Sequence, residues 1–291
     1  MNKLYVYFGI LLSVADVHCS IWNHIEQGQW PHTCLQGKRQ SPINLDPKIA
    51  MSKQSFEKFH FSGYKKEQKG SVKNTGHSVE LKVDDAPKVW GGGLKKEYTL
   101  DHLHFHWQSE HTFKGHRFPL EVHLVHYATE YKSVANALNY GDGLAVLAVF
   151  YELSLDDDTE FEPLAKVIEH VESNHNSFQM NEEIVLRSFL PRNVAGFYRY
   201  EGSLTTPNCT EAVIWTIFSN TIPISRDQVE RFEKIQTDLG KLKVNYRSLQ
   251  NLGERTLYHR MSPVPHGSSS KHSNNVFLSL ITLLIMYGIY N

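Results

Sequence analysis

The chain has 291 residues, 41% hydrophobic and 21% charged, with 30 Lys and Arg against 31 Asp and Glu for a formal net charge of −1. Near-neutral charge, with basic residues scattered and no aromatic interleaving, excludes the electrostatic footprint of a nucleic-acid partner. Between the two ends, even composition without repeats or low-complexity linkers suits one large domain of roughly 245 residues.

Met1 to Ala15 has a charged start at Lys3, an apolar run from Leu4 to Leu12 and a small-x-small exit at Ser13-Val14-Ala15. This pattern predicts a secretory signal peptide over 1–15, its end reaching as far as about residue 20, and too short to span a bilayer. The mature chain is therefore expected to fold where disulfides persist. Three cysteines leave one pair and a remainder. A Cys34–Cys209 bond would close a loop of roughly 175 residues and stabilise the fold by several kcal/mol in the chain-entropy account. Cys19 is retained by cleavage after Ala15 and removed by cleavage a few residues later.

From Ser41 onward, short alternating segments dominate: Phe56 to Phe61, Ser71 to Val72, Val79 to Val83, Tyr98 to Trp107 and Glu121 to Tyr127. Gly and Pro punctuate them, notably Gly91-Gly92-Gly93. Within the fourth segment, Leu100-Asp101-His102-Leu103-His104-Phe105-His106-Trp107 carries an imidazole at every second position. Strand side chains alternate faces, so His102, His104 and His106 share one. The run from Leu120 to His126 adds His123 on the same face as Glu121. With 17 histidines in the chain, some such spacing arises without purpose. A buried strand nevertheless does not collect imidazoles without reason, because each brings polar nitrogens that need partners. Three imidazoles converging from two neighbouring strands can hold Zn²⁺ and leave a fourth position open, as in a catalytic zinc site. Spacing alone leaves open which two of the three join His123.

Leu144 to Phe150 is a continuous apolar run of strand length, expected where both faces are covered. Phe161, Leu164, Val167, Ile168 and Val171 have the spacing of one amphipathic helix. Ser225-Arg226-Asp227-Gln228 opens a second with a capping box, directing Val229 and Phe232 inward. The expected fold is mainly β (α+β): a large central twisted, mostly antiparallel sheet with a few peripheral helices and the histidine strands in its middle.

At the other end, Val276 to Tyr290 is apolar and is preceded by small residues, Gly267, Ser268, Ser269 and Ser270, then by the polar spacer Lys271 to Asn275. Small residues, spacer and terminal apolar tail form the signal for a glycosylphosphatidylinositol (GPI) anchor, whose tail is removed. The run falls short of the ~20 residues a spanning helix needs. The expected organisation is thus a catalytic domain over 20–266 and a GPI-attachment signal over 267–291, with attachment at one of the four small residues.

His104-Phe105-His106-Trp107, Glu121-Val122-His123, Ser109-Glu110-His111 and Ser203-Leu204-Thr205-Thr206-Pro207 occur in the family's arrangement. So do Gln40-Ser41-Pro42-Ile43-Asn44, Gly76-His77-Ser78-Val79 and Asn245-Tyr246-Arg247. On these motifs the chain, from Gln40 to Arg260, resembles the α-class carbonic anhydrases. The placement of Cys34 and Cys209 and the C-terminal signal resemble the extracellular, GPI-linked branch, isozymes four and fifteen.

The resemblance implies Zn²⁺ held by His104, His106 and His123. His102 then stands where the family has a glutamine that hydrogen-bonds the first ligand, and Glu121 is the carboxylate that orients His123. It also implies reversible hydration of CO₂ to bicarbonate at the outer cell surface, by attack of a zinc-bound hydroxide formed near pH ~7, a value known for this family. Thr205 would accept the hydroxide's hydrogen and donate its own to Glu110, and Thr206 would contact bicarbonate. Val125, Val146, Leu204, Val213 and Trp215 match the apolar side of the pocket, and His77 matches the proton shuttle, suited to it by an imidazole pKa near ~6.5. The membrane, reached through the lipid anchor, and bicarbonate or proton transporters are the expected partners. The chain departs from the family at Thr75, in place of an asparagine, and at Trp22-Asn23-His24, in place of Trp-x-Tyr. A binding domain that has lost turnover would lack ligands that this chain retains, and a zinc esterase would need a wider pocket.

Overall fold

The computed structural model describes residues 22–263. The expected signal peptide, Cys19 and the GPI signal with Gly267, Ser268, Ser269 and Ser270 lie outside the described residues. No helix among the described residues is long and apolar enough to cross a membrane.

A thirteen-stranded sheet organises the chain. Its central path is built from β1 (Gly70–Asn74), β2 (Val79–Val83), β3 (Leu94–His106), β4 (Leu120–Ala128), β5 (Leu144–Ser154), β6 (Phe197–Gly202) and β7 (Val213–Phe218). Neighbours run in the order β1, β2, β3, β4, β5, β7, β6. The pairings are antiparallel except β5 with β7, which is parallel from Leu144↔Val213 to Ala148↔Ile217. The sheet is therefore mixed but mostly antiparallel, as the alternating segments predict, and β3 and β4 sit in its middle.

Period-two alternation divides the sheet into two faces. Leu103 and Phe105 of β3, Leu120, Val122 and Leu124 of β4, and Ala145, Leu147 and Val149 of β5 enter one apolar cluster. Val125, Val146, Ala148 and Phe150 enter a second, with Val213 and Trp215 of β7. Apolar residues on both faces explain why β5 reads as a continuous hydrophobic run. The imidazoles of β3 alternate with Leu103 and Phe105 and so face the second cluster.

Helix α1 (Glu162–Ile168), extended by a 3₁₀ turn through Val171, packs Leu164, Ala165 and Ile168 into the first cluster. Helix α2 (Arg226–Phe232) adds Val229 and Phe232 to the same cluster, its N-terminus closed by the Ser225–Gln228 capping box. Both helices thus cover the face away from the histidines.

Sequence alternation missed β6 and β7. Arg199 interrupts β6 yet is buried, donating to the Thr216 hydroxyl at 2.8 Å and to the Gly92 carbonyl at 3.0 Å. Cys34 and Cys209 form a disulfide that closes 175 residues, and the Arg247 guanidinium donates to the carbonyls of Cys34 and Ser41.

Candidate metal centre

β3 and β4 are paired so that His104 lies opposite His123 and His106 opposite Glu121. This register brings three ring nitrogens together: His123 Nδ1 is 3.2 Å from both His104 Nε2 and His106 Nε2. A tetrahedral Zn²⁺ with bonds of ~2.0–2.1 Å would hold its nitrogens about 3.3 Å apart.

The outward nitrogens decide where the hydrogens are. His106 Nδ1 lies 2.6 Å from the Asn245 carbonyl, which can only accept, so Nδ1 donates and Nε2 turns a lone pair inward. His123 Nε2 lies 2.8 Å from Glu121 Oε1, and a carboxylate again only accepts, leaving the Nδ1 lone pair inward. Two lone pairs facing each other at this separation repel unless a cation lies between them. The donor set therefore fits a metal ion, and its all-imidazole chemistry suits zinc.

Electrostatics favour the neutral form of His104 and His106, as ligation requires. Burial first, and then repulsion from His123, lowers the His106 pKa to about 3 and holds His104 well below the ordinary imidazole value. Burial alone would push Glu121 up. His111 and His123 outweigh it and keep the carboxyl well below the usual carboxylate range.

Glu121 is the hub of a chain that sequence reasoning did not find. Its Oε1 also accepts from His111 Nδ1 at 2.8 Å, and its Oε2 from the His111 backbone N–H at 2.9 Å. His111 Nε2 meets the Tyr200 hydroxyl at 2.7 Å, whose oxygen lies 2.9 Å from Ser41 Oγ. His111, Glu121 and His123 are also close enough to share a metal. Their 2.8 Å contacts, however, are complete hydrogen bonds between imidazoles and a carboxylate. No spacing signal could have identified Tyr200 or the Asn245 carbonyl, which come from distant segments. His102 reaches His104 from outside, its Nε2 3.0 Å from His104 Nδ1.

Glu110 is fully buried, accepting from the Arg247 N–H at 2.8 Å through Oε1, while Oε2 lies 3.6 Å from His106 Nε2. Burial raises its pKa, and His123, the Thr205 hydroxyl and the Arg247 N–H oppose that rise. Glu110 Oε2 has no hydrogen-bond partner among the described residues. Thr205 is buried in the loop after β6, which Cys209 N–H closes onto the Thr206 carbonyl at 2.8 Å. Val125, Val146, Val213 and Trp215 lie buried in one apolar cluster with Leu204 packed against it. The Trp215 ring stands edge-on to His123 at 4.8 Å, so this apolar side abuts the imidazoles.

His77 sits on the turn from β1 to β2, following Gly76, whose φ of +81° favours glycine. Its ring stacks on Trp22 at 3.6 Å, beside a cavity of about 670 Å³ lined by Trp22, His24, Thr75, His77 and Asp238. Burial and the neighbouring His175 lower the His77 pKa, opposed by Asp238. His24 is buried with neither ring nitrogen hydrogen-bonded. Burial, with repulsion from His106 and His77, takes its pKa down to about 3.

The sequence is similar to those of known proteins. The family model for eukaryotic-type carbonic anhydrase matches residues 22–261. The chain is 37% identical over 253 residues to putative carbonic anhydrase 3 of Caenorhabditis elegans, covering 82% of this chain and 97% of that protein. It is 34% identical over 255 residues to carbonic anhydrase 4 of Oryctolagus cuniculus, covering 84% and 82%. To carbonic anhydrase 15 of Mus musculus it is 35% identical over 253 residues, covering 80% and 77%.

Proposed function

Because the chain belongs to the eukaryotic-type carbonic anhydrase family and is an enzyme of CO₂ hydration, we propose that its catalysis depends on Zn²⁺ held by His104, His106 and His123. The observation that carries this reading is the pair of inward lone pairs at 3.2 Å, with the outward nitrogens of His106 and His123 bound to acceptors. When bound, zinc supplies Lewis acidity, lowering the pKa of a water so that it can add to CO₂ near neutral pH.

The chain's own groups do the rest. Glu121 and the Asn245 carbonyl hold two of the ligand rings in orientation. Thr205, backed by Glu110, accepts a hydrogen from the attacking oxygen and so aims a lone pair at the substrate carbon. CO₂ offers little for hydrogen bonding, and Val125, Val146, Leu204, Val213 and Trp215 give it an apolar surface beside the imidazoles. Thr206 contacts the bicarbonate product. His77, stacked on Trp22, takes the released proton to buffer. Export and a GPI anchor, read from residues 1–15 and 267–291, put this chemistry at the outer cell surface beside bicarbonate or proton transporters.

Stopped-flow CO₂ hydration by the purified protein, with metal content measured before and after chelation, tests the reading. Turnover should fall to background when zinc is removed and return when it is restored. Folded protein with undiminished turnover after complete loss of zinc would overturn it.

A further inference from the structure

β3 is not regular as it enters the site. Val125 of β4 pairs with His102 and His126 pairs with Leu100, so Asp101 is an extra residue without a partner. This is a β-bulge, which re-aims a side chain next to a site. Strict alternation would send Asp101 to the face away from His102. Instead, Asp101 Oδ2 lies 2.7 Å from His102 Nδ1.

An ionised carboxylate only accepts, so neutral His102 carries its hydrogen on Nδ1 and its Nε2 becomes an acceptor. That Nε2 lies 3.0 Å from His104 Nδ1, which must then donate. His104 is left with its lone pair on Nε2, the nitrogen 3.2 Å from His123 Nδ1. The competing acid is Glu80, whose Oε2 is 4.0 Å from His102 Nε2, too far for a hydrogen bond. Glu80 leans instead toward Lys82 at 3.7 Å.

We infer that Asp101 is a positioning residue for the metal: through His102 it sets the tautomer of His104 and aims the Nε2 lone pair into the site. The inference rests on the reading of His104 as a zinc ligand. It also explains how a histidine can occupy position 102. A glutamine there has a permanent acceptor oxygen, whereas an imidazole accepts at Nε2 only in one tautomer, and Asp101 selects it.

The test compares the full chain with Asp101→Ala, Asp101→Asn, His102→Gln and the Asp101→Ala/His102→Gln double variant. Zinc affinity is measured by chelator competition and the site by the visible spectrum of the Co²⁺-loaded protein. Asp101→Ala should weaken zinc about tenfold, the lower end for lost outer-sphere partners, and perturb the cobalt spectrum. Asp101→Asn, which keeps an acceptor oxygen, should restore most of that affinity. In the His102→Gln background the same alanine should change neither readout. Equal losses in both backgrounds, or no loss in either, would overturn the relay. Nitrogen-15 NMR of the unsubstituted metal-loaded protein needs no variant: hydrogens on Nδ1 of both His102 and His104 are expected, and one on His102 Nε2 would overturn it. A wild-type chain that binds no zinc would instead refute the metal centre itself.

Discussion

His77 is the proposed catalytic side chain whose contribution can be separated from metal binding, because it stands outside the histidine cluster and stacks on Trp22. If it carries the proton out, His77→Ala should slow turnover in weak buffer by on the order of a hundredfold, the lower end for a positioned acid or base. Added imidazole should restore the rate while zinc content stays constant; equal rates in every buffer would exclude the role. At this scale the sequence was informative about residue types and silent about partners. His104, His106, His123, Glu121 and His77 could be named from spacing and motif, whereas the Asn245 carbonyl and Tyr200 could not. A hydrogen bond between residues 139 positions apart, such as His106 to Asn245, leaves no local trace.

Strand β4 is the element whose alternation mattered most, since it carries Glu121 and His123 toward the site and Leu120, Val122 and Leu124 into the first cluster. Near its end, fully buried His126 bonds through Nδ1 to the Ala145 carbonyl of β5 at 3.1 Å and meets the Tyr64 hydroxyl at Nε2. Burial lowers its pKa from 6.5 to about 4, so the folded chain resists a proton that the unfolded chain accepts. Its contribution is therefore complete above pH ~6.5 and is lost as pH falls toward ~4, a swing on the order of 3 kcal/mol. Denaturant midpoints at pH 7 and pH 4.5 should differ less in His126→Gln than in the parent; an unchanged difference would refute this account. The bulge at Asp101 is the element-scale feature that alternation concealed, because a period-two pattern assumes that no residue is extra.

For the whole molecule, the Cys34–Cys209 disulfide ties the N-terminal segment to the loop that carries Thr205 and Thr206, across 175 residues. Arg247 reinforces the junction by donating to the carbonyls of Cys34 and Ser41. Replacing both cysteines with serine should cost about 3–5 kcal/mol in the chain-entropy account, read as a lower denaturant midpoint. Catalysis should suffer as well, since the Thr205 loop loses its tether. A variant with unchanged midpoint and turnover would show that packing alone holds the loop.

Local chemistry determined the mainly β architecture, the shared face of the three β3 histidines and their suitability for zinc, because strand period and ligand type are properties of neighbouring residues. It also determined the α2 cap, which is complete within Ser225–Gln228. Spacing left open which β3 histidines join His123; strand register turns nitrogens of His104 and His106 toward it while His102 bonds His104 from outside. Tertiary structure alone placed a buried arginine within β6 and set Asp101 beside His102. Those outcomes depend on strand register, a bulge and contacts between remote segments, which exist only once the sheet has formed.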